Sequence, residues 1–407
     1  MSDWPMVRFE ELADSSKSAF SKPYGSAIMK DDYVPDGVPV VRGVNLANGV
    51  FVDDDFVYIS DEQADRMPGA NLTSGDLVFT HRGTIGQVSM IPWNRKHSRY
   101  VLSTSHVKAR LDTGRVRPEF YYYYFQSPRG QQELLKNASV VGVPGIAQPV
   151  ATIKSLSVPY PSLSVQNSIV EVLGALDNKA AVNVRIVATS DDLGSVLLEE
   201  VLLGDSSLAE VPLGSIAGVN RRKVAPVPSG DLRYIDISSV SLGGVEWPNV
   251  TSWDDAPSRA RRGISQGDTI WSTVRPNRRS YALILDNDAR LVASTGFAVL
   301  TPVEVGAAFL YEVTKRDEFV RYLESVAEGS AYPAVRAERF EQAAVPLPSS
   351  GRLEKFESVA MPIRERAHAA AVESRSLAQL RDTLLPKLMS GEIHVRDAEK
   401  VVEDVVL

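Results

Sequence analysis

The chain has 407 residues, 44% hydrophobic and 23% charged, enough for two or three domains with real cores and too apolar for wholesale disorder. It has no apolar run of ~18 residues and no basic, signal-like start at Met1-Ser2-Asp3-Trp4, so a cytoplasmic protein is expected; zero cysteines exclude a disulfide framework and a thiolate metal site. The net charge of −7 is unevenly spread: residues 1–160 and 211–348 each sum to zero, 161–210 to −6 and 349–407 to −1.

In chain order, Val38-Pro39-Val40-Val41-Arg42-Gly43-Val44-Asn45 reads as a strand running into a polar loop. Ser74-Gly75-Asp76-Leu77-Val78-Phe79-Thr80 is a Gly-Asp turn opening a short apolar strand. Ser103-Thr104 follows, then Tyr121 to Tyr124, which read as core aromatics rather than a base-stacking platform, and the tail strand Ser157-Val158-Pro159-Tyr160-Pro161. The same plan then recurs. Leu232 to Ser239 answers the first strand, Gln266-Gly267-Asp268 the turn, Ser294-Thr295 the Ser-Thr pair, and Ala344-Val345-Pro346-Leu347-Pro348 the tail. The last three repeat at offsets of 192, 191 and 187 residues, too long for a solenoid module, so each copy is expected to be a domain.

Each copy leads into a long helical segment. Over Ser164–Leu203 the apolar positions Ile169, Leu173, Leu176, Ala180, Val184, Val187, Leu197, Leu198 and Val201, flanked by Gln166 and Asp177, predict one buried stripe. Gly174 and Gly194 each weaken that helix by ~1 kcal/mol relative to Ala, so packing must hold it. Over Leu353–Ser390, Ile363, Ala367, Ala370, Ser374, Leu377, Arg381, Leu384 and Leu388 follow four-three spacing, with Leu380 able to replace Arg381. A forty-residue helix is about 60 Å long, beyond the needs of one compact core. The two segments are therefore expected to pair as an antiparallel coiled coil, with an ordinary surface helix as the alternative for either one alone.

Catalytic constellations are not visible. There is no Gly-Lys-Ser/Thr phosphate loop, His-Glu-x-x-His pair, Gly-x-Ser-x-Gly elbow or Asp/Asn-Pro-Pro-aromatic motif. The five histidines (81, 97, 106, 368 and 394) lack metal-ligand spacing, and Asp53-Asp54-Asp55 reads as a solvated acidic turn. No cofactor is expected in this chain. Local basic fields are visible, however: residues 31–76 sum to −8 but 77–160 to +8, and six arginines against one aspartate lie between 259 and 279.

Gln166-x-x-Ile169-x-x-x-Leu173-x-x-Leu176-Asp177-x-Lys179 after a Pro-Tyr-Pro-Ser-Leu strand resembles the central conserved region of type I restriction–modification DNA specificity subunits. Leu380-Arg381-Asp382-Thr383-Leu384-Leu385-Pro386-Lys387-Leu388-Met389-Ser390-Gly391-Glu392-Ile393 resembles their usual ending, and Gly75-Asp76-Leu77-Val78-Phe79-Thr80-His81-Arg82-Gly83-Thr84-Ile85-Gly86 the commonest motif of their target recognition domains. The second copy departs from the pattern, with Arg275-Pro276-Asn277 in place of the Arg-Gly turn.

The resemblance implies an α+β protein with two tandem α/β recognition domains, 1–160 and 209–348, separated by a helical spacer (161–208) and followed by another with a tail (349–407). It implies a non-catalytic subunit that recognises a bipartite double-stranded DNA site, one half per domain. Its partners would be two methyltransferase subunits, which carry S-adenosylmethionine, and restriction/translocase subunits. Alternatives are an autonomous DNA-binding regulator or an enzyme with an unrecognised site.

Arg and Lys suit phosphates and guanine edges, and Asn suits adenine. On that chemistry the candidate DNA contacts of the first copy are Arg42, Asn45, His81, Arg82, Gly83, Thr84, Lys96, His97, Arg99, Ser105, His106 and Lys108, with Gly145 in a glycine-bearing loop. In the second copy they are Arg221, Arg222, Lys223, Arg233, Arg275, Asn277, Arg278 and Arg279. A solvated surface charge is the alternative for each alone. Gln166, Ile169, Leu173, Leu176, Asp177, Ile363, Ala367, Ala370, Leu377 and Leu384 are the candidate helix-pairing residues.

Overall fold

The computed structural model describes residues 4–25, 27–139, 142–329, 332–398 and 400. The chain divides into two units, residues 1–179 with 376–407, and residues 180–375. Each is built on two four-stranded sheets, and the strand orders match. In the first unit Phe20–Ser21, His106–Ala109, Leu77–Thr80 and Val88–Met90 lie side by side, all antiparallel. A second sheet runs Val57–Ile59, Val38–Val41, Tyr100–Leu102, Asn71–Leu72, with a parallel central pair. The second unit repeats the first arrangement with Ala217–Val219, Phe297–Pro302, Thr269–Ser272 and Tyr281–Leu283. It repeats the other with Val250–Ser252, Asp231–Ile235, Leu291–Ser294 and Ala260–Gly263. The central strands Val38–Val41, Leu77–Thr80 and Thr269–Ser272 are buried at every position, so they do not show the alternation of a half-exposed strand.

The repeated Gly-Asp pair has a physical explanation. Gly75 (φ 82°) and Gly267 (φ 90°) take the left-handed turn that side chains resist. The following aspartates are buried. Asp76 accepts from the Thr73 amide at 2.9 Å and from the Arg110 guanidinium through both oxygens at 2.7 Å. Asp268 accepts from the Ser265 amide and Thr301 Oγ1, each at 2.7 Å, and pairs with Arg222. A buried carboxylate that closes a turn and holds a cation is a demand of this fold, so both copies carry it.

Tyr121, Tyr123, Tyr124 and Phe125 are buried on the helix Pro118–Gln126, as the sequence predicts. Phe125 stacks edge-on with Phe9 and Phe79, at centroid distances of 5.2 and 5.0 Å. The counterpart helix in the second unit is Ala307–Lys315, whose buried Phe309 meets Phe356.

The two long helices span Leu163–Leu203 and Ser350–Ser390, 41 residues each. They pair antiparallel. In the second unit Asn183 Nδ2 donates to Glu373 Oε2 at 2.8 Å and Arg364 Nη1 to Asp191 Oδ1 at 3.0 Å; in the first, Arg381 reaches Asp177 at 3.3 Å. Ile169, Leu173, Leu176, Ala367, Ala370, Leu377 and Leu384 are buried as predicted, and Asp177 is half-buried. Gln166 is wholly buried, accepting from the Arg117 amide and donating to the Pro161 carbonyl, both at 2.9 Å.

Ala180, Val187, Leu197 and Val201 of the predicted stripe are half-buried, and Val184 and Ile363 give way to polar neighbours. Val184 is 64% exposed because the seam passes through its neighbour Asn183, then Ser190 and Gly194. Ile363 is only half-buried, and the inward place next to it belongs to Arg364. In both places a buried polar side chain, Asn183 bonded to Glu373 and Arg364 to Glu312 and Asp191, takes the inward position, which apolar periodicity does not reveal.

Candidate nucleic-acid interface

In the first unit the turn after Leu77–Thr80 carries His81, Arg82, Gly83 and Thr84. Arg82 and Thr84 are exposed, and Gly83 has φ 87° with open space where a β-carbon would stand. The turn is held from beneath. The His81 amide donates to Ser105 O at 3.0 Å, and His81 Nε2 lies 3.1 Å from Thr104 O. Ile146 and Gly83 tie it to the glycine-bearing loop, through Ile146 N to His81 O at 2.9 Å and Gly83 N to Pro144 O at 3.0 Å, and Arg82 bridges Gly145. Ser103 N donates to Val41 O at 3.0 Å, so the strand end bearing Arg42 joins the same edge. Thus the Arg42 end of its strand, His81–Thr84, Ser105 and Gly145 converge, while the Arg42 guanidinium itself donates to Asp55 O at 3.1 Å. Burial, partly offset by the bond to Thr104, lowers the His81 pKa, so its ring is uncharged at neutral pH.

The second unit builds the same junction from different residues. Arg275 N donates to Pro333 O at 2.8 Å, Val274 bridges Ala334, and the Arg275 guanidinium lies 4.6 Å above the Tyr332 ring. Arg275 and Arg279 both take left-handed backbone (φ 52° and 51°) without being glycine. Asn277 and Arg278 are exposed at the tip, while Arg279 pairs with Asp317. A separate cleft of about 630 Å³ is lined by Arg221, Arg222 and Lys223 together with Arg290 and Trp253. Arg222 is engaged by Asp268, whereas Arg221 and Lys223 are exposed.

Several candidates are engaged elsewhere. Lys108 is fully buried and donates to Asn71 O at 2.8 Å, and burial pulls its pKa down to about 8. It does not face solvent. Asn45 is 1% exposed, accepting from the Arg42 amide at 3.0 Å and donating to Asp54 O at 2.7 Å, so it closes its loop and presents no amide to a base edge. Arg233 is held by Asp288 at 3.0 Å and Pro248 O at 2.6 Å, and Arg99 by Asp65 at 2.9 Å. His97 packs on Phe56 and Tyr100, with centroids 5.8 and 5.6 Å away, while Lys96 stays exposed. His106 is buried beneath the turn, its Nδ1 2.8 Å from Ser103 Oγ, and burial drives its pKa down to about 4. Strand-end position placed these residues near the surface in sequence terms, but chain position alone does not give side-chain direction.

Trp253 and Arg290 were not legible as interface residues, because each becomes relevant only through partners distant in the chain. Among the described residues no group of three or more His, Asp or Glu could hold a metal ion, and no helix is long and apolar enough to cross a membrane.

Residues 1–188 match the family described as the type I restriction modification DNA specificity domain. A curated relative, the type I restriction enzyme HindI specificity subunit of Haemophilus influenzae, is 24% identical over 140 residues, covering 33% of this chain and 30% of the relative's length. Among solved structures, the type I restriction–modification system S subunit from M. genitalium is similar over 95% of this chain and 96% of its own, with a TM-score of 0.62 and 16% identity. At that identity the likeness is one of fold. Residues 1–188 are thus similar to the type I restriction modification DNA specificity domain, and the chain as a whole shares its fold with the M. genitalium S subunit.

Proposed function

We propose that this chain is the DNA sequence-specificity subunit of a type I restriction–modification complex. The observation that carries the reading is the repeated junction. Two like-folded units each hold an arginine-bearing turn, Arg82-Gly83 and Arg275 to Arg279, at the end of the same strand and against the same kind of loop. Exposed guanidinium groups on a rigid turn suit phosphate contacts and guanine edges, and one unit per half-site gives a bipartite target. Arg82, Thr84, Asn277 and Arg278, exposed on these turns, are the side chains this reading assigns to DNA contact.

The paired helices are the spacer and the docking surface for two methyltransferase subunits and for restriction subunits. Catalysis and S-adenosylmethionine belong to those partners, and this chain supplies no chemistry of its own. Such a complex works in the cytoplasm. The acidic central segment, at −6 over residues 161–210, then faces protein rather than DNA.

The test is selection of duplexes from a random pool by the chain co-purified with its cognate modification subunit. Two short conserved elements separated by a fixed unspecified gap support the reading. A single contiguous element bound by the chain alone would instead make it an autonomous regulator.

A further inference from the structure

Each unit docks one short core helix, Pro118–Gln126 in the first and Ala307–Lys315 in the second (each named here the recognition helix after its unit), on the helix pair through one trio, and the two trios have opposite polarity. The long helices are equal in length and the recognition helices are equal in length, so positions can be matched by count. Tyr123 and Glu312 are each sixth in their recognition helix. Asp177 and Arg364 are each fifteenth in their long helix. Arg381 and Gly194 are each thirty-second.

In the first unit Tyr123 donates its hydroxyl to Asp177 Oδ2 at 2.8 Å, and Arg381 supplies the cation at 3.3 Å. In the second unit the anion sits on the recognition helix instead. Glu312, 1% exposed, pairs with Arg364, 6% exposed, and the place matching Arg381 is the glycine over which that guanidinium lies. Lys315 and Asp191 complete the cluster, 2.6 Å apart, and Tyr311 lies 4.8 Å beneath the guanidinium.

We infer that these trios are a positional key, which makes the two recognition units non-interchangeable between the two ends of the helix pair. The second unit's recognition helix at the first position would bring the Glu312 carboxylate against Asp177, two anions in a half-buried place. The first unit's helix at the second position would put a phenol in place of the Glu312 carboxylate and leave the buried Arg364 only Asp191 as a carboxylate partner. Like charges and stranded buried charges are how natural interfaces reject wrong partners. The key is a property of the fold and holds whatever the units bind.

The experiment transplants the key within the full chain. Tyr123→Phe and Tyr123→Gln remove the phenol without adding charge, and Tyr123→Glu installs the second unit's anion. Tyr123→Glu should lower the thermal midpoint by roughly 5 °C or more beyond Tyr123→Gln. The triple variant Tyr123→Glu/Asp177→Arg/Arg381→Gly, which copies the whole second trio, should recover most of that loss. Should Tyr123→Glu give no soluble protein while Tyr123→Gln does, the charge is again the cause and the key stands. Equal loss in the Gln and Glu variants, or a triple variant no better than the single one, overturns it, because shape rather than charge would then decide the docking.

Discussion

The guanidinium of Arg364 occupies the space beside Gly194 that a β-carbon would need. Helix propensity alone would favour Ala at this position by ~1 kcal/mol. Here the added methyl must displace a buried ion pair between Arg364 and Glu312, so Gly194→Ala should instead destabilise the protein by roughly 1–3 kcal/mol. Thermal or urea unfolding of the purified variant checks the sign. A more stable Gly194→Ala protein would mean the cluster relaxes freely.

Arg82 and Lys108 come from the same basic stretch of sequence but have different surroundings. Arg82 is exposed on its turn, and Lys108 is inside. Arg82→Ala should weaken duplex binding and, if the contact is to phosphate, reduce the salt slope by about one. Lys108→Met should leave the slope unchanged. Titrations of the complex with labelled duplex at several salt concentrations separate the two, and equal effects would contradict the placement of Lys108.

His106 links stability to acid. Burial sets its folded-state pKa at about 4, below the ~6.5 of an unfolded chain, so between those values only the unfolded state binds the proton. Stability from this group is therefore fully present above pH ~6.5 and is lost as the pH falls towards 4, by about 3 kcal/mol in all. His106→Gln should flatten that part of the profile. Unchanged acid sensitivity in the variant would assign the effect to other groups.

The helix pair makes a prediction about spacing. A matched seven-residue insertion in both long helices adds about 10 Å, or about three base pairs. The unspecified gap should widen accordingly while both half-sites stay the same. Methylated-motif mapping with altered half-sites would count against a spacer role.

The fold was largely legible because its signals are local. Gly75-Asp76 and Gly267-Asp268 each combine a left-handed turn with a buried carboxylate, and the leucines of the central helix keep a helical period through Leu176. The candidate interface was legible only in part. Gly83 and Arg82 sit where a Gly-bearing turn must sit, but Asn45, Lys108 and Arg233 face inward or onto partners, as Asp288 does for Arg233. The polar seam at Asn183, Gly194 and Arg364 was invisible for a related reason. An apolar count passes over Arg364, whose burial depends on Asp191 and on Glu312, 52 residues earlier.

Under the proposed function the two units read two halves of one DNA site. Co-expression with the modification subunit, followed by single-molecule methylome sequencing, tests it most directly. The account predicts a bipartite methylated motif that disappears when this gene is deleted and changes in one half only when residues 1–160 are exchanged. An active complex that leaves no such motif, or an exchange that changes both halves together, would contradict it.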